Sequence, residues 1–182
     1  MNLNIMLAIE ELFTNNPEAT DLPEEGVQQI GLDEGLVLHT YPDEFGNPTI
    51  GFGHTPAQPG EVWTLNQAFN MLISDINTKG VDPVNRYFPW VEKQGIIRKW
   101  VLVNMAYNEG IGNLLMFTDT LSSMENLDLH GAIIGMMSSK WYNEVTTRAR
   151  QLMFQYWQNV WCITPLTSKQ DKLLSAFING GN

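Results

Sequence analysis

The hydrophobic period of this chain changes between Glu34 and His54, and that change limits the folds open to it. Before it, Leu3, Met6, Ile9 or Glu10, and Phe13 recur at helical spacing, predicting an amphipathic helix over 3–13 that ends at Asn15, Asn16 and Pro17. A turn-rich link through Pro23 leads to a second short helix over 24–33, where Val27, Ile30 and Leu32 can pack and whose end delivers Asp33, Glu34 and Gly35. From Leu36 to Gly53 the helical spacing is lost. Val37, His39 and Tyr41 alternate with other residues, Phe45-Gly46-Asn47-Pro48 supplies turn chemistry, and Thr49-Ile50-Gly51-Phe52 resumes an extended run. This pattern predicts a hairpin or small antiparallel sheet in a chain that otherwise reads as helical. The expected fold class is α+β, mainly helical, with a small mixed lobe followed by a larger helical one.

Thr64-Leu65-Asn66-Gln67 fits a capping box, in which a threonine hydroxyl and a glutamine side chain satisfy free N–H groups at a helix start. That helix is predicted to reach about Thr78 and stop at Gly80, with Pro83 beyond. Residues 91–109 are apolar nearly all round, through Val91, Ile96, Ile97, Trp100, Val101, Val103, Met105 and Ala106, and predict a central buried helix. Further helices are expected over 113–124, 128–138, 146–160 and 167–178.

Composition narrows the partners. The 182 residues are 43% hydrophobic and 16% charged, a globular balance long enough for one domain with a sound core. Twenty acidic against ten basic residues give a formal net charge of -10. Nucleic acid and anionic membrane surfaces are therefore not expected to recruit the chain electrostatically. The lone Cys162 excludes an intrachain disulfide and reads as a buried small residue. The opening MNLNIMLAIEELF lacks a basic start and meets Glu10 and Glu11 early, so it is not expected to act as a secretory signal. No apolar run approaches the roughly 20 residues that span a bilayer. A soluble protein is expected, with no membrane insertion.

The chemistry concentrates where the period changes. Glu34 and Asp43 stand nine positions apart, with Thr49 six further on. Cleaving a glycosidic bond takes two carboxyls, one to protonate the leaving oxygen and one to handle water or the sugar cation. Glu10 and Glu11 also end an amphipathic helix, but Ala19 and Thr20 lie nine positions later and no T-I-G-x-G-H follows.

The segment D-E-G-L-x-L-x-x-Y-x-D-x-x-G-x-x-T-I-G-x-G-H at 33–54 resembles the phage lysozymes, or endolysins, of glycoside hydrolase family 24. Asp75, N-M-A-Y-N-E-G at 104–110, F-T-D-T-L at 117–121 and K-W-Y-N-x-x-x-x-R-A-x-R at 140–150 follow in the family's order. The resemblance covers roughly residues 24–161. It implies a lysozyme-like bilobed fold with a small N-terminal β-sheet lobe and a larger helical lobe. It also implies a muramidase that cuts between N-acetylmuramic acid and N-acetylglucosamine in bacterial peptidoglycan, without metal or cofactor.

Carried over residue by residue, Glu34 becomes the general acid. Asp43 stays ionised at a solvated turn to act on water or stabilise the oxocarbenium-like transition state. Thr49 takes the place of a threonine whose hydroxyl holds the attacking water. Inversion is the family's outcome and needs room for that water; carboxyl separations of about 6.5–9.5 Å suit it, whereas about 5–5.5 Å suits retention. The resemblance makes His54 a structural partner of Asp75, and no second histidine or cysteine stands at metal-ligand spacing. It aligns Arg148 with an arginine that approaches the acid from the larger lobe. For saccharide and stem-peptide contacts the candidates are Asn108, Phe117, Lys140 and Asn143, because amides and aromatic edges suit neutral sugars. Trp141 and Trp157 are expected to pack in the core.

Residues 1–23 and 162–182 extend beyond a catalytic domain expected over 24–161, and both extensions are expected to be helical. They are candidates for packing on the domain or for contact with a virion or assembly partner. The family's frequent proline before R-A-x-R is replaced in VTTRAR. The acidic balance contrasts with the basic surface common among lysozymes and predicts weak electrostatic attraction to anionic walls. The expected location is the host cytoplasm until release to the wall, or the virion. Two other classes stay open at this point: a lytic transglycosylase, which needs no Asp43 and Thr49 arrangement, and a non-enzymatic wall-binding virion module.

Overall fold

The structure, a computed structural model, describes residues 2–15 and 21–180. The chain divides into two compact units, Met1–Thr78 and Lys79–Asn182. The fold is α+β and mainly helical, and its two-stranded antiparallel sheet lies in the first unit.

In the first unit, α1 (Asn2–Asn15) packs on α2 (Glu24–Glu34). The expected stops at Asn16 and Pro17 lie outside the described residues. Within α1 Ile9 and Leu12 are buried, while Glu10 is exposed, and the Phe13 ring meets Phe69 edge-on at 5.4 Å. The contact with α2 depends on a glycine. A Cβ at Gly31 would fall 2.6 Å from the Ile9 Cδ1 and 3.4 Å from the Phe52 ring. Strand β1 (Val37–Pro42) pairs antiparallel with β2 (Pro48–Gly51) in the register Tyr41–Thr49 and Pro42–Pro48, with an irregularity between Val37 and Tyr41. Within that irregular stretch His39 bridges Val62 on the strand's other edge, where Thr40 N–H donates to the Glu61 carbonyl and Trp63 N–H to that of Leu38. Helix α3 (Leu65–Ile76) opens with the expected Thr64–Gln67 capping box, buries Ala68, Phe69, Leu72 and Ile76, and packs on β2, α1 and α2.

Gly80 does not end the helical run. A π-helical turn over Asn77–Val81 leads directly into α4 (Asp82–Tyr87), whose first turn contains Pro83. Proline is tolerated in a first turn because its missing N–H has no intrahelical partner there. Gly80 serves packing instead, since a Cβ would fall 2.9 Å from Val103 Cγ1 and 3.0 Å from the Val103 carbonyl oxygen.

The second unit is helical. The expected 91–109 helix is split: residues Pro89–Gln94 form a 3-10 turn, Gly95 takes φ +85°, and α5 (Ile96–Glu109) begins after it. Trp100 through Ala106 are all buried, making α5 the centre of this unit. The helix expected over 113–124 is likewise two, α6 (Ile111–Leu114) and α7 (Thr118–Glu125). Helix α8 (Leu129–Met137) is capped by the Asp128 carboxylate, which accepts from Gly131 N–H at 2.9 Å. A short α9 (Lys140–Glu144) precedes α10 (Thr146–Gln158), and Asn159 ends α10 in the left-handed region. Cys162 is buried, and burial pushes its thiol up to about 11. Helix α11 (Ser168–Ile178) carries a second capping box, Thr167 with Gln170. Arg150 ties α11 to α10: its Nε donates to Asp171 Oδ1 at 2.6 Å and an Nη to Ser175 Oγ at 3.0 Å.

Candidate active site

Glu34 is the last residue of α2, and the helix ends there because Gly35 turns to φ +75° while its N–H donates to the Gly31 carbonyl at 3.1 Å. The side chain is half-buried beside the backbone of the glycine-rich segment. Gly53 has φ +75°, and a Cβ there would come within 3.1 Å of Glu34 Oε2. The spacing T-I-G-x-G-H thus places a residue without a side chain against the carboxyl. The segment is held by a tight reversal, with Ile50 N–H donating to the His54 carbonyl at 3.0 Å and His54 N–H to that of Ile50 at 2.9 Å.

Asp43 follows β1 and organises the turn. Its Oδ1 accepts from Phe45 N–H at 2.9 Å and Asn47 N–H at 2.7 Å, and its Oδ2 accepts from the Asn47 side-chain amide at 3.0 Å. This is aspartate turn chemistry, and it sets the carboxylate's charge. The Asn47 side-chain amide, with smaller help from the N–H groups of Asn47, Phe45 and Gly46, holds the Asp43 carboxyl below its ordinary range.

Thr49 lies opposite Tyr41 in the sheet and is buried, with its hydroxyl donating to the Asn47 carbonyl at 3.1 Å. With the hydroxyl proton engaged, the oxygen's remaining role toward a water is as acceptor. Burial, then the charges of Glu34 and Asp43, push the Tyr41 phenol above its usual range. Both carboxyls are therefore within electrostatic reach of one phenol.

His54 Nδ1 lies 2.9 Å from Asp75 Oδ2, and the Asp75 side chain is buried on α3. The pair links the end of the glycine-rich segment to the capped helix. The His54 ring also stands 5.6 Å from Trp63. Among the described residues no group of three or more His, Cys, Asp or Glu side chains is arranged to hold a metal ion.

In the second unit the candidate contact residues gather around Trp141, which is buried. Its indole N–H donates to Asn108 Oδ1 at 2.8 Å, which fixes the orientation of that amide. Phe117 meets the Trp141 ring edge-on at 6.3 Å. Lys140 and Asn143 share α9 with it; the Lys140 ammonium pairs with Glu144 at 2.8 Å, and the Asn143 amide donates to the Ser139 carbonyl at 3.3 Å. Trp157 stacks on Phe177 at 4.4 Å, a contact between α10 and α11. Arg148 is buried on α10, where its Nε donates to Asn104 Oδ1 at 2.8 Å on α5.

Two residues of interest were not singled out by sequence. Gly53 is visible as a motif glycine, but its approach to Glu34 is a tertiary fact. Glu109 stands beside Asn108 in N-M-A-Y-N-E-G. Burial and then Glu144 raise its carboxyl above the usual range, opposed by Lys140 and Arg148.

Comparison with known proteins places this geometry in context. A family model described as phage lysozyme matches residues 32–152, about two thirds of the chain. The pre-baseplate central spike protein Gp5 of Enterobacteria phage T4 is 24% identical over 151 residues, covering 69% of this chain and 26% of Gp5. The chain thus spans about a quarter of the length of that curated relative. Among the described residues no helix is long and apolar enough to cross a membrane.

Proposed function

Because the chain belongs to the phage lysozyme family, we propose that it is a peptidoglycan hydrolase cleaving the bond between N-acetylmuramic acid and N-acetylglucosamine. The observation that carries the reading is the pairing of two unlike carboxyls in one small unit. Glu34 lies half-buried at a helix end against Gly53, whereas Asp43 is held ionised by three hydrogen bonds in a turn. A carboxyl at a helix end and a second held in a turn supply the two carboxyls that glycoside hydrolysis uses.

In this mechanism Glu34 protonates the leaving glycosidic oxygen. The C–O bond breaks toward an oxocarbenium-like state, and the Asp43 anion stabilises positive charge or takes the proton of the attacking water. Thr49 accepts a hydrogen bond from that water. Gly53 keeps the space beside Glu34 open, and His54 with Asp75 fixes the end of the segment that carries Gly53. In the second unit, Asn108, Phe117, Lys140 and Asn143 are the residues proposed for sugar and stem-peptide contacts, and Arg148 is held there by Asn104. No metal or cofactor enters this scheme. The catalytic domain is assigned to 24–161, with residues 1–23 and 162–182 as extensions.

Digestion of purified walls tests the reading. Products ending in reducing N-acetylmuramic acid support hydrolysis, while anhydro ends would show a transglycosylase. Proton NMR of the first-formed anomer tests inversion. A virion-associated place of action is a second reading, motivated by the likeness to a protein named for a phage central spike. Antibody detection of the chain in purified particles decides between that and free release at lysis.

A further inference from the structure

Phe45 is 81% exposed, the most exposed of the large apolar side chains among the described residues. It stands at the tip of the hairpin turn, where its N–H donates to Asp43 Oδ1 at 2.9 Å. The turn is doubly tied, since Gly46 N–H donates to the Asp43 carbonyl at 3.0 Å and Asp43 N–H to the Asn47 carbonyl at 2.9 Å. The backbone that carries the ring is therefore fixed by the same hydrogen bonds that fix the carboxylate. The two arms of this turn also border a shallow, open depression of about 270 Å³, lined by Tyr41, Pro42, Gly46 and Pro48 with Pro59 and Gly60. Thr40 secures the opposite wall, its hydroxyl donating to the Gln58 carbonyl at 2.7 Å.

An exposed phenyl ring has no stabilising role in the fold, because burying it is what would contribute. Its chemistry suits one occupant beside a carboxylate turn. A pyranose presents a face of C–H bonds that packs on an aromatic ring, and the sugar's hydroxyl and amide groups stay in water at the rim. Proline and tyrosine walls offer the same mixed surface, and Glu44 and Glu61 nearby disfavour an anionic ligand. We infer that the hairpin turn is a hexosamine-binding subsite for the glycan strand, with Phe45 as its stacking face, next in sequence to Gly46, which lines the adjoining Tyr41–Pro42–Pro48–Pro59 depression. This rests on the proposed hydrolase reading and adds a specificity residue to it.

The test uses uncharged strands of N-acetylglucosamine for binding and whole walls for turnover. Binding is measured by calorimetry in the Glu34→Gln chain, which separates the subsite from turnover. Adding Phe45→Ala should weaken binding about five- to tenfold, and Phe45→Trp should restore it to within about twofold, the scale of one aromatic contact. In the active chain Phe45→Ala should raise KM by a similar factor while kcat changes much less, because the contact is shared by ground and transition states. Unchanged binding in the Phe45→Ala chain overturns the subsite, as does the absence of measurable strand binding with or without it. If the wild-type chain releases no reducing ends, the hydrolase reading fails, and the binding measurement still decides whether the turn holds sugar.

Discussion

Gly53 and Glu34 meet so closely that a methyl group on Gly53 would fall 3.1 Å from the glutamate's Oε2. The glycine also holds φ +75°, a region that costs an L-residue roughly 1–2 kcal/mol. Gly53→Ala should therefore lower stability by about 1–2 kcal/mol and displace the carboxyl. Wall-clearing activity should fall at least about tenfold, in line with the cost of small misplacements at reacting groups. Urea unfolding and initial clearing rates measure the two effects separately. Full activity would mean that the carboxyl's position is not set by this contact.

The Asn47 side chain controls the charge of Asp43. Its amide stabilises the anion, so the folded-state carboxyl titrates below its ordinary value of 3.8. A depressed folded value contributes stability above the unfolded pKa and loses it as pH falls through the folded pKa. Asn47→Ala should raise the Asp43 midpoint and shift the acid limb of the activity profile to higher pH. Carbon-detected NMR of the Asp43 carboxyl reads the midpoint directly, and an unmoved midpoint counts against this account.

The N-terminal helix is part of the first unit's core. Ile9 is fully buried against Gly31, three residues before Glu34. Ile9→Ala should cost about 2–5 kcal/mol through lost burial and a cavity. Thermal or urea unfolding checks the value; a loss near zero would show that α1 does not pack as described.

Arg150 fastens α11. Removing its hydrogen bonds to Asp171 and Ser175 by Arg150→Ala should cost about 1–3 kcal/mol. The amides of α11 should then exchange faster by hydrogen–deuterium mass spectrometry than those of α5. Equal protection in variant and wild type would place the anchor elsewhere, for example in the Trp157–Phe177 stack.

The sequence was most readable where local chemistry decides the structure. The Thr64–Gln67 capping box and the hairpin state their own geometry and are found, although the turn is closed by Asp43 with Gly46 and Asn47 and Pro48 already belongs to β2. The alternation around Tyr41 is not carried into burial, because β1 is irregular and is paired on its other edge at Val62. Gly80 misled because a glycine near a helix end reads as a stop, whereas here its missing side chain makes room for Val103. Gly95 and Phe117 divide apolar runs that read as continuous helices, since periodicity does not reveal a residue with φ +85° or a one-turn break. At the candidate site, spacing set Glu34, Asp43 and Thr49 in one short segment, which the structure divides into a helix end, a turn and a strand. The approach of Gly53 to the acid, the Trp141–Asn108 hydrogen bond and the burial of Arg148 are tertiary facts that no local pattern encodes.

The central claim is that Glu34 is the proton donor of a wall hydrolase. Muropeptide analysis of walls digested by wild type and by Glu34→Gln tests it, because the substitution removes the proton with almost no change of shape. The account predicts reducing N-acetylmuramic acid ends from the wild type and none above background from a folded Glu34→Gln chain. Equal release of those ends by the two chains would contradict it.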